Sequence, residues 1–516
     1  MAGVGCPLWE RTLGSVSMAL ASGLFLALAL PPRPYPWLAW VALVPLFLAV
    51  RGASRRRAAL LGLLTGTLYA LASVYWVEGT MVRYGPLPVW LAAGATLLLA
   101  LYMGGFTAVW AAFAPGVIRR HRHTTPIWLA TGWVALEWLR THLFGGFGWA
   151  HLGYTQVTTP AILQVAELGG VFAVSWLIVA VNGALAATVV HLADRRPHPL
   201  QPQLLGAVGL VLAAAAFGEV RLAEIRATPV RRELEVALVQ GNVPEGKKWE
   251  PARRQEILHR YLSMSEALGR DAARLIVWPE AAIPYLLQGS PALDQRLRRV
   301  CSRTGADLLF CGLWEAPSDR SFRNSAYAMT AANGVVARYD KLHLVPFGEY
   351  VPLAGLLGFV RSITAQIGDF QPGDGPTLLE VAGERVGCPI CFEVTYPGLT
   401  RAFAREGATM LATITNDAWF GDSVAPRQHL YIAAVRCVEQ RLPMVRGANT
   451  GITAVIDADG AILAEVPQFE ATTLTTTVPL RDLGPTLYSR IGEGWVVVLL
   501  AAWGLAEART RRALKR

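Results

Sequence analysis

Charge is what this chain has least of. Only 16% of its 516 residues are Asp, Glu, Lys or Arg, against 53% hydrophobic residues, where a soluble globular chain carries about 25% charged residues. The shortfall is uneven along the chain. That excludes a single water-soluble globule and points to membrane spans beside a more ordinary globular block. Cysteine is scarce too. Cys6, Cys301, Cys311, Cys388, Cys391 and Cys437 are too few and too scattered for a disulfide scaffold. Cys388 and Cys391 form a C-x-x-C, but neither a second C-x-x-C nor an H-x-x-H accompanies it, which argues against zinc. No metal and no cofactor is expected. Internal repeats and low-complexity tracts are missing. Acidic residues trail basic ones, 37 to 47, for a net charge of +10. The arginines fall in short runs between apolar stretches, a signature of membrane topology rather than of nucleic-acid contact.

A hydrocarbon core takes about 20 apolar residues to cross. Seven candidate stretches precede the globular block, at 13–31, 37–50, 58–78, 88–114, 126–143, 161–192 and 203–220, and an eighth lies at about 490–508. The prolines of PPRPYPW separate the first two. No small-residue cleavage site follows the first stretch, so no cleavable signal peptide is expected, and Cys6 lies too early to be a lipidation site. With the N-terminus in the cytoplasm, the cytoplasmic loops carry Arg51 and Arg55–Arg57, then Arg119, Arg120 and Arg122, then Arg195 and Arg196, then the tail RTRRALKR; the opposite loops carry Arg33 and Arg83. This alternation fits eight crossings and puts the globular block in the periplasm. The expected domains are 1–225, a helical bundle of seven spans; 226–485, a catalytic block; and 486–516, a last span with a basic tail. Glu137 and Arg140, three apart on one face of the fifth span, read either as an ion pair inside the bundle or as a contact to a zwitterionic head group. The loop THLFGGFGWAHLGYTQ reads as an interfacial cap.

The globular block has a different texture. Short β-branched runs (ELEVALVQ, RLIVWP, ADLLFCGLW, SAYAMT, VVARYD, MLATIT, ITAVID, TTLTTTV) alternate with helical stretches such as PARRQEILHRYLSMSEALGRDAA and HLYIAAVRCVEQR. With a hairpin at MTAANGVVARY, this predicts a layered α/β domain.

Three residues there can carry chemistry, each expected at the end of a strand: Glu280 in VWPEAAIP, Lys341 in YDKLHLVPFGEYVP and Cys391 in ICFEVTYP. A thiol needs a base or a nearby cation to act as a nucleophile. Glu280 can serve as that base, its affinity for protons raised by a dry, proline-framed pocket. Lys341 can hold a developing oxyanion. Taken singly, the bland readings are a buried Cys, a surface Glu and a solvated Lys. The C-x-x-C leaves a redox role open.

These motifs resemble the nitrilase, or carbon–nitrogen hydrolase, superfamily over roughly 230–480. With the flanking spans, GNVPEGKKW and TNDAWFGDS followed by PRQHL, the whole chain is similar to that superfamily's membrane-embedded branch, the apolipoprotein N-acyltransferases. The resemblance implies a multi-span α-helical bundle joined to an αββα sandwich. It implies a triad of base Glu280, oxyanion-stabilising Lys341 and nucleophile Cys391, supported by Glu349, Phe392, Glu393 and Trp249. Phe392 stands where a Tyr is common, which puts any phenol role in doubt. The implied reaction takes an acyl chain from a phospholipid, mainly phosphatidylethanolamine, through a thioester. The acyl chain goes to the N-terminal amine of a diacylglyceryl-cysteine apolipoprotein, and the enzyme acts as a monomer in the inner membrane.

Lifting a diacyl lipid into water would cost about 0.8 kcal/mol per CH₂, so the thiol is expected at the bilayer surface. Two apolar stretches, LAGLLGFVRSITAQIGDF and AAIPYLLQGS, are candidates for dipping into the interface, although core packing would explain them equally well. A membrane-tethered amidase acting on small amides would share the triad. A transporter would show paired halves or broken helices, and no repeat supports one.

Overall fold

The computed structural model describes residues 8–85, 87–121, 124–193, 202–245, 251–283, 285–317, 320–350 and 370–513. The chain divides into two compact units. One comprises residues 1–78, 90–222 and 491–516; the other joins 79–89 to 223–490.

The first unit is helical: α1 Leu8–Ala29, α2 Val44–Val50, α3 Arg55–Val74, α4 Trp76–Tyr84 (whose second half belongs to the other unit), α5 Val89–Arg120, α6 Thr125–His142, the short α7 Pro160–Leu163 and α8 Ala166–Gly169, then α9 Val171–Ala193 and α10 Pro202–Ala227. Among the described residues, α3, α5, α9 and α10 are long and apolar enough to cross a membrane, while Leu13–Ala29, Pro36–Val50 and Gly494–Ala506 form shorter apolar helices.

Two expected spans come out differently. The stretch 37–50 breaks into a 3-10 turn, Pro36–Trp40, and the seven-residue α2. The backbone groups this break exposes are taken up by Asn182 of α9, which donates to the Ala39 carbonyl (2.8 Å) and accepts from Leu43 N–H (2.8 Å). Such repair is what makes broken helix tolerable inside a bundle. The stretch 161–192 becomes one long helix only from Val171, because Gly170 turns the chain with φ 70°.

Helices α3 and α5 approach closely along glycines. A Cβ on Gly62 would lie 2.4 Å from Ala111 Cβ, and one on Gly66 2.6 Å from Thr107 Oγ1. Small residues four apart are the usual device for helix association in lipid, where apolar side chains gain little by leaving the solvent. Glu137 and Arg140 prove to be internal. Glu137 accepts from Trp133 Nε1 (3.0 Å) and Leu152 N–H (2.8 Å), and Arg140 donates to the Ala150 carbonyl (3.1 Å). Both stitch the following loop to α6. That loop is less of a cap than expected: Trp149, Ala150, Leu152 and Tyr154 are buried in the unit, while Phe144 is 82% exposed.

The second unit holds twelve described strands: β1 Val230–Gln240, β2 Leu275–Val277, β3 Asp307–Glu315, β4 Phe322–Thr330, β5 Gly334–Asp340, β6 Leu379–Val381, β7 Glu384–Gly387, β8 Met410–Thr415, β9 Met444–Ala448, β10 Thr453–Ile456, β11 Ile462–Val466 and β12 Thr472–Arg481. They form two six-stranded sheets, ordered β12-β1-β2-β3-β4-β5 and β11-β10-β9-β8-β7-β6. Strands β1, β2 and β3 run parallel, as do β7, β8 and β9.

Face to face, β1 meets β9 and β10, and β6 meets β3, β4 and β5. Helices α11 Arg254–Glu266 and α12 Pro291–Thr304 cover the first sheet. Their Tyr261, Leu262, Leu297 and Val300 pack against Trp278, Phe310 and Tyr327. Helices α13 Pro397–Arg405 and α14 Ala425–Gln440 cover the second sheet. The result is the expected αββα sandwich. Helices α15 Leu487–Ile491 and α16 Gly494–Ala513 end the chain. Every residue of β8 is buried, as a strand covered on both faces requires.

Candidate active site

The C-terminal ends of strands from both sheets deliver the chemistry. Glu280 follows β2, Lys341 follows β5, and Asn416 and Asp417 follow β8. Cys391 departs from its expected place at a strand end. After β7 stops at Gly387 the chain keeps one bridge, Ile390 to Ile414, and Cys391 then opens a 3-10 turn, Cys391–Thr395. Its φ is +54°. A left-handed residue with a side chain costs about 1–3 kcal/mol and persists where its surroundings over-determine it, most often at working sites.

Glu280, Lys341 and Glu349 come together. The Lys341 ammonium, 1% exposed, donates to Glu280 Oε1 (3.2 Å) and Glu349 Oε1 (3.0 Å). Asn324 of β4, which no motif singles out, donates its Nδ2 to the same two oxygens, at 2.9 Å and 3.0 Å. Two donors and two acceptors thus alternate around a small ring. Backbone N–H groups hold the outer oxygens: Asn416 N–H reaches Glu280 Oε2 (3.1 Å), and Val345 N–H reaches Glu349 Oε2 (2.8 Å).

Burial by itself would pull Lys341 toward neutrality, but the carboxylates of Glu280 and Glu349 outweigh it and hold the amine well above its ordinary range. Lys341 is therefore a fixed cation. Burial lifts the Cys391 thiol above its usual value, and the Glu280 carboxylate lifts it further; Lys341 opposes, Asp417 adds to the rise, and a hydrogen bond with Thr415 eases it. The thiol rests protonated, within the electrostatic reach of both Glu280 and Lys341.

Glu393 ties the nucleophile turn to the lysine loop. Its Oε1 accepts from Leu342 N–H (2.6 Å), His343 N–H (2.9 Å) and Tyr339 Oη (2.9 Å), and its Oε2 from Ile390 N–H (2.7 Å). Burial raises its carboxyl to about 7 against the pull of these donors. The Phe392 ring packs edge-on to Tyr396, at 5.7 Å. Tyr396 in turn stacks on His343, at 4.2 Å. Trp249 and the apolar stretch 353–369 lie outside the described residues.

A further layer escaped the sequence reading. Asn416 Nδ2 donates to Glu245, and its Oδ1 accepts from Asn449 Nδ2 (3.0 Å). Asp417, His429 and Arg446 are each fully or almost fully buried, and His429 Nε2 reaches the Cys391 carbonyl at 3.1 Å. The clue in the sequence was charge out of place: an arginine inside the apolar strand MVRGA, and a histidine in an otherwise inward-facing helix. The turn Asp417–Phe420 is gripped by the segment after α3. Thr80 Oγ1 donates to the Trp419 carbonyl (2.7 Å), Tyr84 Oη donates to the Ala418 carbonyl (2.9 Å), and the Tyr84 and Trp419 rings meet at 4.8 Å.

Comparison with known proteins gives the same two-part picture. Residues 22–184 match the apolipoprotein N-acyltransferase N-terminal domain and residues 235–488 the carbon-nitrogen hydrolase domain. An apolipoprotein N-acyltransferase of Geobacter metallireducens is 37% identical over 512 residues, covering 96% of each chain. One of Methylococcus capsulatus is 36% identical over 507 residues, again 96% of each. Among solved structures, an amidase of the nitrilase superfamily from Nesterenkonia is similar to 49% of this chain over 93% of its own, at 22% identity and a TM-score of 0.38. With identity of this order from end to end, the chain belongs to the apolipoprotein N-acyltransferase family of acyltransferase enzymes.

Proposed function

We propose that this protein N-acylates lipoproteins at the outer face of a bacterial inner membrane. It takes an acyl chain from a phospholipid, foremost phosphatidylethanolamine, and gives it to the N-terminal amine of a diacylglyceryl-cysteine. The observation that carries this reading is a left-handed Cys391 within electrostatic reach of the Glu280 carboxylate and the buried Lys341 ammonium that pairs with it at 3.2 Å, in a chain with helices long enough to cross a bilayer. Eight crossings with the arginines inside would place residues 226–485 in the periplasm, where the monomeric enzyme meets both lipid substrates.

In the first step Glu280 removes the Cys391 proton as sulfur attacks the acyl ester carbonyl. A resting thiolate is not needed, because proton loss is coupled to attack. The oxyanion forms beside the Lys341 ammonium, helped by backbone N–H groups of the nucleophile turn. The intermediate then collapses: the lyso-phospholipid oxygen leaves with the proton held by Glu280, and a thioester remains. In the second step the lipoprotein amine attacks the thioester, Glu280 accepts the amine proton, and sulfur leaves to recover it as a thiol. Lys341, held far above neutrality, changes charge in neither step. Glu349 and Asn324 keep it aimed. A site shielded from water favours the amine over hydrolysis.

The test separates the half-reactions. Incubated with phosphatidylethanolamine alone, the purified enzyme should gain a fatty-acyl mass on the peptide holding Cys391 and release lyso-phospholipid, and Cys391→Ala should do neither. An active enzyme with no acyl adduct on that peptide would overturn the scheme. Release of ammonia from small amides in the absence of lipid would instead support a tethered amidase.

A further inference from the structure

Resting on the reading of Cys391 as nucleophile, we infer that His429 is a positioning residue: its imidazole holds the backbone carbonyl of Cys391 and so fixes the left-handed turn that presents the thiol. A histidine near a nucleophilic cysteine is ordinarily read as its base. Here the ring turns its Nε2 to the carbonyl oxygen, at 3.1 Å, and that contact leaves it no proton to exchange with sulfur.

The partner at Nε2 fixes one ring hydrogen. A carbonyl oxygen only accepts, so Nε2 carries the hydrogen. Nδ1 faces two groups, the Arg446 Nη2 donor at 3.1 Å and the Asp417 Oδ1 acceptor at 3.2 Å. Burial and the Arg446 charge both push the imidazole below its ordinary value against the opposing pull of Asp417 and the Cys391 carbonyl, so the ring is neutral and its bare Nδ1 takes the Arg446 hydrogen. Arg446 Nη2 also meets Asp417 Oδ2 at 2.5 Å, and Arg446 Nε donates to the Ile452 carbonyl at 3.1 Å. Burial raises the Asp417 carboxyl, but the Arg446 guanidinium, with the Thr415 hydroxyl donating at 2.8 Å, outweighs this and holds it below the ordinary carboxylate range. A carboxylate that stays ionised anchors the guanidinium, and the guanidinium anchors the imidazole.

The packing leaves this chain little freedom. A Cβ on Gly451 would stand 2.2 Å from Asp417 Oδ2, so only glycine admits the carboxylate there. The Phe420 ring meets His429 edge-on at 5.7 Å. The strained residue is therefore held from both sides, by Glu393 at the Ile390 N–H before it (2.7 Å) and by His429 at its own carbonyl. Fixing a reacting group matters because a misplacement of about 1 Å can lower a rate by about 10²-fold.

Two variants divide the ring's two ends. His429→Gln offers an amide N–H where Nε2 stood and can reach the Cys391 carbonyl. His429→Asn keeps a polar group toward Arg446 and Asp417 but falls short of it. Two rates are read on full-length enzyme in detergent: alkylation of Cys391 by iodoacetamide, followed by peptide mass and independent of any acyl donor, and thioester formation from phosphatidylethanolamine. His429→Asn is expected to lower the thioester rate by about 10²-fold with KM for the lipid within about threefold, and to change the alkylation rate and its pH profile. His429→Gln should recover to within about tenfold of wild type.

A purely structural role would lower the melting temperature of both variants and leave the rate per titrated site unchanged. That outcome, or a folded His429→Gln as slow as His429→Asn, overturns the inference. If His429→Asn does not fold, His429→Gln decides alone: near-wild-type rates support the proposal and a folded but inactive enzyme refutes it. If wild type forms no thioester, the nucleophile assignment fails instead, and the alkylation rates still report whether His429 positions the sulfur.

Discussion

Asn324→Leu is the sharpest test of the ring that joins Glu280, Lys341 and Glu349. Leucine matches asparagine in size but donates nothing. The substitution removes two hydrogen bonds to carboxylate oxygens, at 2.9 Å to Glu280 and 3.0 Å to Glu349. Bonds to a charged partner contribute about 1.5–3 kcal/mol each. Together they bound the loss at roughly 3–6 kcal/mol. Lys341 remains between the two carboxylates and can turn a further N–H toward them, so about half of that is expected to reach the rate, a fall of roughly 10–10²-fold in thioester formation. The sign follows from the geometry. With the amide gone, both carboxylates lose a donor, and the base and the lysine it faces are held less firmly.

The assay is lyso-phospholipid release in single turnover, with enzyme folding checked by melting temperature. A folded variant with a wild-type rate would refute the idea that Asn324 aims the base. So would a rate per folded enzyme that is unchanged while the melting temperature falls, which would make the residue a packing element. Cys311 provides an internal control, since its thiol lies 3.0 Å from Asn324 Oδ1 on the side away from the ring. Cys311→Ala should leave the single-turnover rate within about threefold of wild type.

Two further predictions follow from the supports around the site. Tyr84→Ala removes the bond to the Ala418 carbonyl and the ring contact with Trp419, about 1–3 kcal/mol together; the thioester rate should fall by roughly tenfold with little change in lipid KM, and unchanged kinetics would show that the segment after α3 merely sits on the turn. Glu393 is raised by burial from 4.5 to about 7, so the folded state keeps a proton that the unfolded chain has released. Stability should decline by about 3 kcal/mol between those pH values and level off above them, and Glu393→Gln should lack that slope in melting temperatures taken from pH 5 to 8.

How much of this could be read from the residues depends on what each signal measures. Apolar length marked α3, α5, α9 and α10, because a bilayer imposes a minimum. It overstated 37–50, where prolines and a 3-10 turn interrupt the run and a distant Asn182 makes the break tolerable. Period and β-branching marked β1, β3, β4, β5 and β8. Strand β6 was missed and β7 was expected to run on to Cys391, because the two span only three and four residues around a glycine turn at Gly383. Strand β9 was missed because MVRGA carries an arginine and a glycine, both poor strand signals taken alone. Helix α12 was missed because its charged face dominates the composition while only Leu293, Leu297, Val300, Cys301 and Thr304 turn inward.

The same logic separates the legible part of the site from the rest. Glu280, Lys341 and Cys391 stand in tight motifs at the ends of recognisable runs, so their chemistry could be named before their geometry. Asn324, Asp417, His429 and Arg446 are polar residues whose meaning is wholly three-dimensional. Each is far in sequence from the group it serves: Asn324 lies 44 residues from Glu280, and His429 38 from Cys391. A buried arginine is costly unless its partners are waiting. The sequence shows Arg446 only as a charge in an apolar strand, whereas the fold shows the aspartate, imidazole and carbonyl that justify it. Where a chain places an ion against its local pattern, the compensating contact lies across the fold, and that contact here leads back to the carbonyl of the nucleophile.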